Sequence, residues 1–156
     1  MLRFLTLTAN ASRKRSRQSD LYRKDSAQVM NLKQLFWAFR FPILVFIINE
    51  IALDPVYVRF PWFDLVMHVL GGVVIALSTV ELLSILHKEK KFHATPFVNL
   101  IVVVSFVALI AVAWEWHEYL RMLLLNAPPN TLEDTLSDLA LGVGGGAVTA
   151  LWRRVR

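Results

Sequence analysis

The chain has 156 residues, 56% of them hydrophobic, a formal net charge of +5 and no cysteine. Soluble domains sit nearer about 45–50% apolar, so this excess points to a membrane, and the missing thiols exclude disulfides, cysteine nucleophiles and Cys-ligated zinc or iron–sulfur sites. The basic residues gather at the N-terminus, in one loop and at the C-terminal tip. That is a pattern of membrane topology, so no nucleic-acid partner is expected.

Residues 1–33 are polar and basic, with Arg3, Arg13, Lys14, Arg15, Arg17, Arg23, Lys24 and Lys33. Phe4 to Thr8 is too short for a signal-peptide core, and the charges follow it instead of preceding it. The segment reads as a cytoplasmic tail, partly disordered, or as an interfacial helix from about Val29 to Phe39 against anionic lipid. Little before Met30 looks structural, which leaves Met30 as an alternative start.

A first spanning helix is predicted from Leu35 to Leu53, with Arg40 snorkelling to the cytoplasmic surface. Pro42 would sit near its start, and Asp54-Pro55 would stop it. A second runs from Pro61 to His87 and carries Asp64 and His68 at i and i+4, on one face. Its Gly71 and Gly72 permit close helix approach. Lys88, Lys90 and Lys91 follow in a loop. Thr95-Pro96 reads as the cap and first residue of a third helix, reaching Asn126. Thr131 with Asp134 resembles a capping box that opens a fourth helix, ending near Arg153. Gly142 and Gly146 give that helix a G-x-x-x-G face, read as helix packing and as a possible contact for a second copy or a membrane partner.

Four spans return both termini to one side. The basic tail, the lysine loop and Arg153, Arg154 and Arg156 all fall there, which assigns that side to the cytoplasm. The expected fold is therefore all-α: an integral membrane protein with a four-helix transmembrane bundle over residues 34–156 and both termini cytoplasmic. It would be a multi-pass protein of the inner, or plasma, membrane, with membrane lipids as its first partners.

Ionisable groups interrupt these spans. Each costs roughly 2.5–3.5 kcal/mol at a span's centre on insertion scales, so such groups mark function by default. At 1.5 Å per residue, His68, Glu118 and Asp138 each lie roughly 10 Å below the outer surface. Asp64 and Asp134 form a shallower layer and Glu115 a deeper one. Glu115 and Glu118 share a face at i and i+3, and His117 points elsewhere. Glu50 falls in the same outer half. Five carboxylates with one imidazole cannot all be ionised unaided in a low dielectric. Either they share protons or a divalent ion neutralises them, and the donor set suits Zn, Mn or Fe.

The expected metal ligands are Asp64, His68, Glu115, Glu118, Asp134 and Asp138, with Glu115 and Glu118 as the catalytic pair. Blander readings stand beside these. Asp134 could serve only the cap, His68 could simply bond Asp64, and Glu50 could be a solvated helix end. Trp114, Trp116 and Tyr119 read as interfacial belt and packing, His87, His93 and His117 as surface or interface residues. Arg121 reads as a partner of Glu118 or as snorkelling outward.

The runs Asp64 to Gly72, Glu115 to Tyr119 and Asp134 to Gly142 also carry a resemblance. They are similar to motifs of the bacterial YjdF-like inner-membrane proteins and, more loosely, of VanZ-like proteins, which share a D-x-x-x-H helix. The resemblance covers about Phe63 to Ala147 and includes Thr135. It implies a membrane protein of uncharacterised activity and names no reaction. Two function classes follow. One is a metal-dependent membrane enzyme acting on a lipid or lipid-linked substrate. The other is a non-catalytic polar network, in a small transporter or a membrane helper subunit.

Overall fold

Four helices account for the chain from Leu32 onward in the structure, a computed structural model, which describes residues 32–57, 59–89 and 91–153. They are α1 (Leu32–Tyr57), α2 (Trp62–Lys88), α3 (Pro96–Leu125) and α4 (Leu132–Trp152), and no strand occurs among the described residues. The described residues from Leu35 onward fall in one compact unit. The expected basic tail lies almost wholly outside the described residues, as do Lys90, Arg154 and Arg156 of the expected topology signal.

Local chemistry explains the ends of α3 and α4. The Thr95 hydroxyl accepts from the Val98 N–H at 3.3 Å, and Pro96 takes the first helical position, where a missing N–H costs nothing. Asn126 closes α3 in the left-handed region, at φ 52°, with its N–H and that of Ala127 directed at carbonyls of the last turn. The Thr131 hydroxyl accepts from the Asp134 N–H at 3.2 Å and opens α4.

The first helix differs from expectation at both ends. Its described part runs unbroken from Leu32 through Phe39, with residues 29–31 of the expected interfacial helix outside the described residues, and it continues through Pro55 to Tyr57. Pro42 lies in its interior. A spanning helix accommodates such a proline when neighbouring groups satisfy the freed backbone. Pro55 falls in the last turn, and the chain then closes through Arg59 and Phe60 N–H bonds to the Val56 carbonyl. Arg40 does not merely snorkel: its guanidinium bonds the Trp37 carbonyl and reaches Glu81 of α2 at 3.4 Å.

Helices α2 and α4 make the closest pair. A Cβ on Gly72 would fall 1.9 Å from the Gly142 carbonyl oxygen, and one on Gly146 would meet the Val107 methyls at 2.7 and 2.8 Å. Gly142 has ordinary clearance, 3.5 Å to the His68 carbonyl oxygen. A Cβ on Gly71 would meet nothing within 4 Å, so the close approach of α2 and α4 is at Gly72 and not at Gly71. The G-x-x-x-G face is thereby occupied within the chain. Val103, Val107, Ala76 and Ala150 form the dry centre, and α1 reaches it through long side chains, Phe39 against Phe106 and Phe46 against Trp114.

Leucines, isoleucines and phenylalanines cover the exterior, whereas Asn49, His68, Ser78, Thr79, Asn99, Glu118 and Asp138 are buried. That inversion suits a hydrocarbon solvent. Three helices, α1 to α3, are long and apolar enough to cross a membrane. The fourth carries Glu133, Asp134 and Asp138 in its first half and is not among them.

Candidate metal centre

His68 stands at the middle of the polar cluster. Helix α2 delivers it one turn after Asp64, α3 supplies Glu115 and Glu118 one turn apart, and α4 supplies Asp138. Its Nε2 lies 3.6 Å from Asp64 Oδ1, 3.6 Å from Asp138 Oδ2 and 4.0 Å from Glu118 Oε1. Its Nδ1 lies 3.8 Å from Glu115 Oε1. All four distances exceed a hydrogen bond. They are near the roughly 3.4 Å that separates two ligands on a tetrahedral ion with bonds of about 2.0–2.2 Å.

Two overlapping sets, Asp64–His68–Glu118 and His68–Glu115–Asp138, each bring one ligand atom per residue within 4.8 Å of the others. Burial sharpens the case. The Asp138 side chain is 0% exposed, yet neither of its oxygens has a hydrogen-bond partner. His68 Nε2 and Glu115 Oε1 are likewise buried and unpartnered. Buried polar atoms are nearly always satisfied, so unpartnered ones gathered at one point are met by a shared proton, a water or an ion. The residues of the described set are thus geometrically able to hold a metal ion.

Neighbours orient the carboxylates. Trp114 donates its indole N–H to Glu118 Oε1 at 2.8 Å, and the Asn130 amide donates to Glu118 Oε2 at 3.3 Å. Trp114 also stands edge-on to the His68 ring at 6.3 Å. Glu115 occupies the Nδ1 side of His68, where a metal-bound histidine ordinarily finds the carboxylate that fixes its tautomer.

Of the six ligands expected from the sequence, the structure brings together Asp64, His68, Glu115, Glu118 and Asp138. Asp134 is exposed on the first turn of α4 and belongs to neither set, its backbone serving the cap. The reason is height: Asp134 shares a helix face with Asp138 at i and i+4 but lies in the exposed first turn, one turn short of the buried layer that Asp138 reaches. Glu50 pairs with His117 Nε2 at 3.1 Å, away from the cluster. Among the described residues no ion pair joins Arg121 to Glu118, and Arg121 Nε is buried without a partner.

Three residues take roles that their local sequence does not announce: Trp114, read as belt and packing, donates to Glu118; His117, read as a surface or interface residue, pairs with Glu50; and Asn130, for which the sequence suggests no role, donates to Glu118. The only available signal for Trp114 was its i, i+4 spacing to Glu118. Asn130 and the Glu50–His117 pair carry no local signal, because their partners are brought near by the turn and by α1.

No curated protein and no solved structure matches the chain. The family described as "Predicted membrane protein (DUF2238)" matches residues 26–156, which takes in all four helices and every residue of the centre, and the chain belongs to that family.

Proposed function

We propose that this protein is a metal-dependent enzyme of the inner membrane that acts on a lipid or lipid-linked substrate from the outer face. The observation that carries the reading is Asp138: a fully buried carboxylate with two unpartnered oxygens, 3.6 Å from an equally unpartnered imidazole nitrogen. His68, Asp64, Asp138 and Glu118 would hold the ion, which we take to be Zn, Mn or Fe. Asp64 retains 22% exposure and gives the centre an opening, as a catalytic site requires. A bound ion polarises a phosphoryl or carbonyl oxygen and lowers the pKa of water. In hydrolysis the water oxygen would add to phosphorus or carbonyl carbon. Asp64, the carboxylate at the opening, would take its proton and return it to the departing alkoxide, while Glu115 holds the His68 ring from its Nδ1 side.

Packing beneath the centre supports this reading over an ion conduit. Just beneath the centre α2 and α4 meet backbone to backbone at Gly72 and Gly142, which closes the direct path between these helices, and the polar side chains buried further along, Ser78, Thr79 and Asn99, carry no charge. We further infer that the chain is a YjdF-like member of its family, from the D-x-x-x-H, E-W-H-E-Y and D-T-L-S-D runs, and that α4 is a fourth span that leaves both termini cytoplasmic.

The test is elemental mass spectrometry of detergent-purified protein, prepared without chelators, beside the Glu118→Gln/Asp138→Asn double variant. Near-stoichiometric metal in the wild type, lost from a variant of unchanged helicity and size-exclusion profile, is the expected result. Absence of metal from the wild type after re-addition would overturn it.

A further inference from the structure

An apolar crevice of about 60 Å³ adjoins the metal centre and shares His68, Trp114 and Gly142 with it. Its walls run on through Val74 and Ile75 of α2, Val107 and Ile110 of α3, and Pro42 and Val45 of α1. From His68 to Ile75, and from Trp114 to Val107, is seven residues, or about 10 Å along the helices. The crevice therefore extends from the centre toward the middle of the spans. Two ring contacts bracket it: Phe46 on Trp114, centroids 5.8 Å apart, at the polar end, and Phe39 on Phe106, 6.3 Å apart, at the other. Between them α1 offers only Pro42 and Val45, and a gap remains.

We propose that this crevice holds one hydrocarbon chain of a lipid whose polar group lies at the metal centre, and that Gly71 sets the room for it. The proposal rests on the metal-centre reading and identifies the substrate class as amphiphiles with an alkyl or prenyl chain next to an ester or phosphoester. An apolar cavity does not retain water. The surrounding face is apolar too, with Leu109 and Val112 exposed on α3, so the solvent that reaches the crevice is hydrocarbon. The long axis follows the helices, as lipid chains do, and the polar end lies where a head-group linkage would. Gly71 lines the crevice, and a Cβ there would meet nothing within 4 Å. A larger side chain at this position grows into the crevice and leaves the helix packing intact, in contrast to Gly72 beside it.

The experiment uses the full chain in vesicles of phosphatidylcholine and phosphatidylglycerol, with a small share of the phosphatidylglycerol carrying a diazirine on one acyl chain. After irradiation, peptide mass spectrometry locates the labels. The wild type is expected to be labelled at Val45, Val74 or Ile110 as well as at the exterior Leu109 and Val112. Gly71→Leu is expected to lose the crevice labels at least tenfold, with exterior labels and metal content unchanged. Val45→Phe, which fills the crevice from α1, is expected to do the same and guards against a folding defect in the first variant. Crevice labels that persist in both variants, or that fall in step with the exterior ones, overturn the proposal. Crevice labels lost in both variants of a protein that binds no metal would sustain the crevice and remove the metal centre. Metal without crevice labels in the wild type would do the reverse.

Discussion

A carboxylate buried without a donor, as Asp138 is, carries a desolvation cost of several kcal/mol by order of magnitude unless a proton or a cation offsets it. His68, 3.6 Å away, cannot do so by a hydrogen bond at that distance. The hydrogen bonds to Glu118 show what is being held in place. Trp114→Phe keeps the ring and its edge contact with His68 but removes the indole donor to Glu118 Oε1. Outer partners of metal ligands are typically worth about 10–100-fold in metal affinity. Trp114→Phe should therefore weaken metal binding by about that factor in a chelator competition, with the helical content unchanged. Asn130→Ala should weaken it less, since its bond to Oε2 is longer, at 3.3 Å. These two residues also mark where the sequence is legible. Asp64, His68, Glu115, Glu118 and Asp138 can be read from helical spacing and depth, because charge in a span is rare and helical rise is fixed. Spacing does not say how far a face stays buried. Asp134 shares the face of Asp138 yet lies in the exposed first turn, whereas Trp114 looks like ordinary packing and bonds a central carboxylate.

Adjacent glycines on α2 separate two roles that their sequence cannot. Gly72 receives the Gly142 backbone, and Gly71 faces open space. Overpacking a tight interior costs about 1–3 kcal/mol. Gly72→Ala should lower the thermal midpoint in detergent correspondingly, while Gly71→Ala should leave it unchanged or raise it slightly, since alanine gains up to about 1 kcal/mol over glycine in a helix. A midpoint lowered equally by both would contradict the α2–α4 contact. At the start of α4, Thr131→Ala removes the hydroxyl that accepts from Asp134 N–H and should cost about 1 kcal/mol, measured as the same midpoint. Such caps are why the bounds of α3 and α4 follow from the sequence to within a residue or two. They rest on the Thr95 and Thr131 hydroxyls, on Pro96 in the first turn and on Asn126 in the left-handed region, whereas α2 has no side-chain cap. The ends of α1 have no such signal, and its two prolines suggest boundaries that the helix passes through.

Across the whole molecule, lipid-facing leucines outside and carboxylates inside leave one open matter of topology, the course of α4. With 21 residues it is about 31 Å long, enough for a hydrocarbon core of about 30 Å. Its acidic residues fall at one end, Glu133 and Asp134 exposed on the first turn and Asp138 turned into the bundle, so little charge meets lipid. Packing of Gly142 and Gly146 against α2 and α3 also requires α4 to run alongside two apolar spans. Helix α4 should therefore cross, and the C-terminus should share a side with the α2–α3 loop. The chain has no cysteine, so single introduced cysteines report cleanly. In cells treated with an impermeant maleimide, Asn126→Cys in the α3–α4 turn should react from outside. Lys91→Cys and Arg156→Cys should react only after the membrane is permeabilised. Labelling of Arg156→Cys from outside together with Asn126→Cys would mean that α4 lies against the bundle without spanning. In that case the face from which substrate approaches the centre would have to be reassigned.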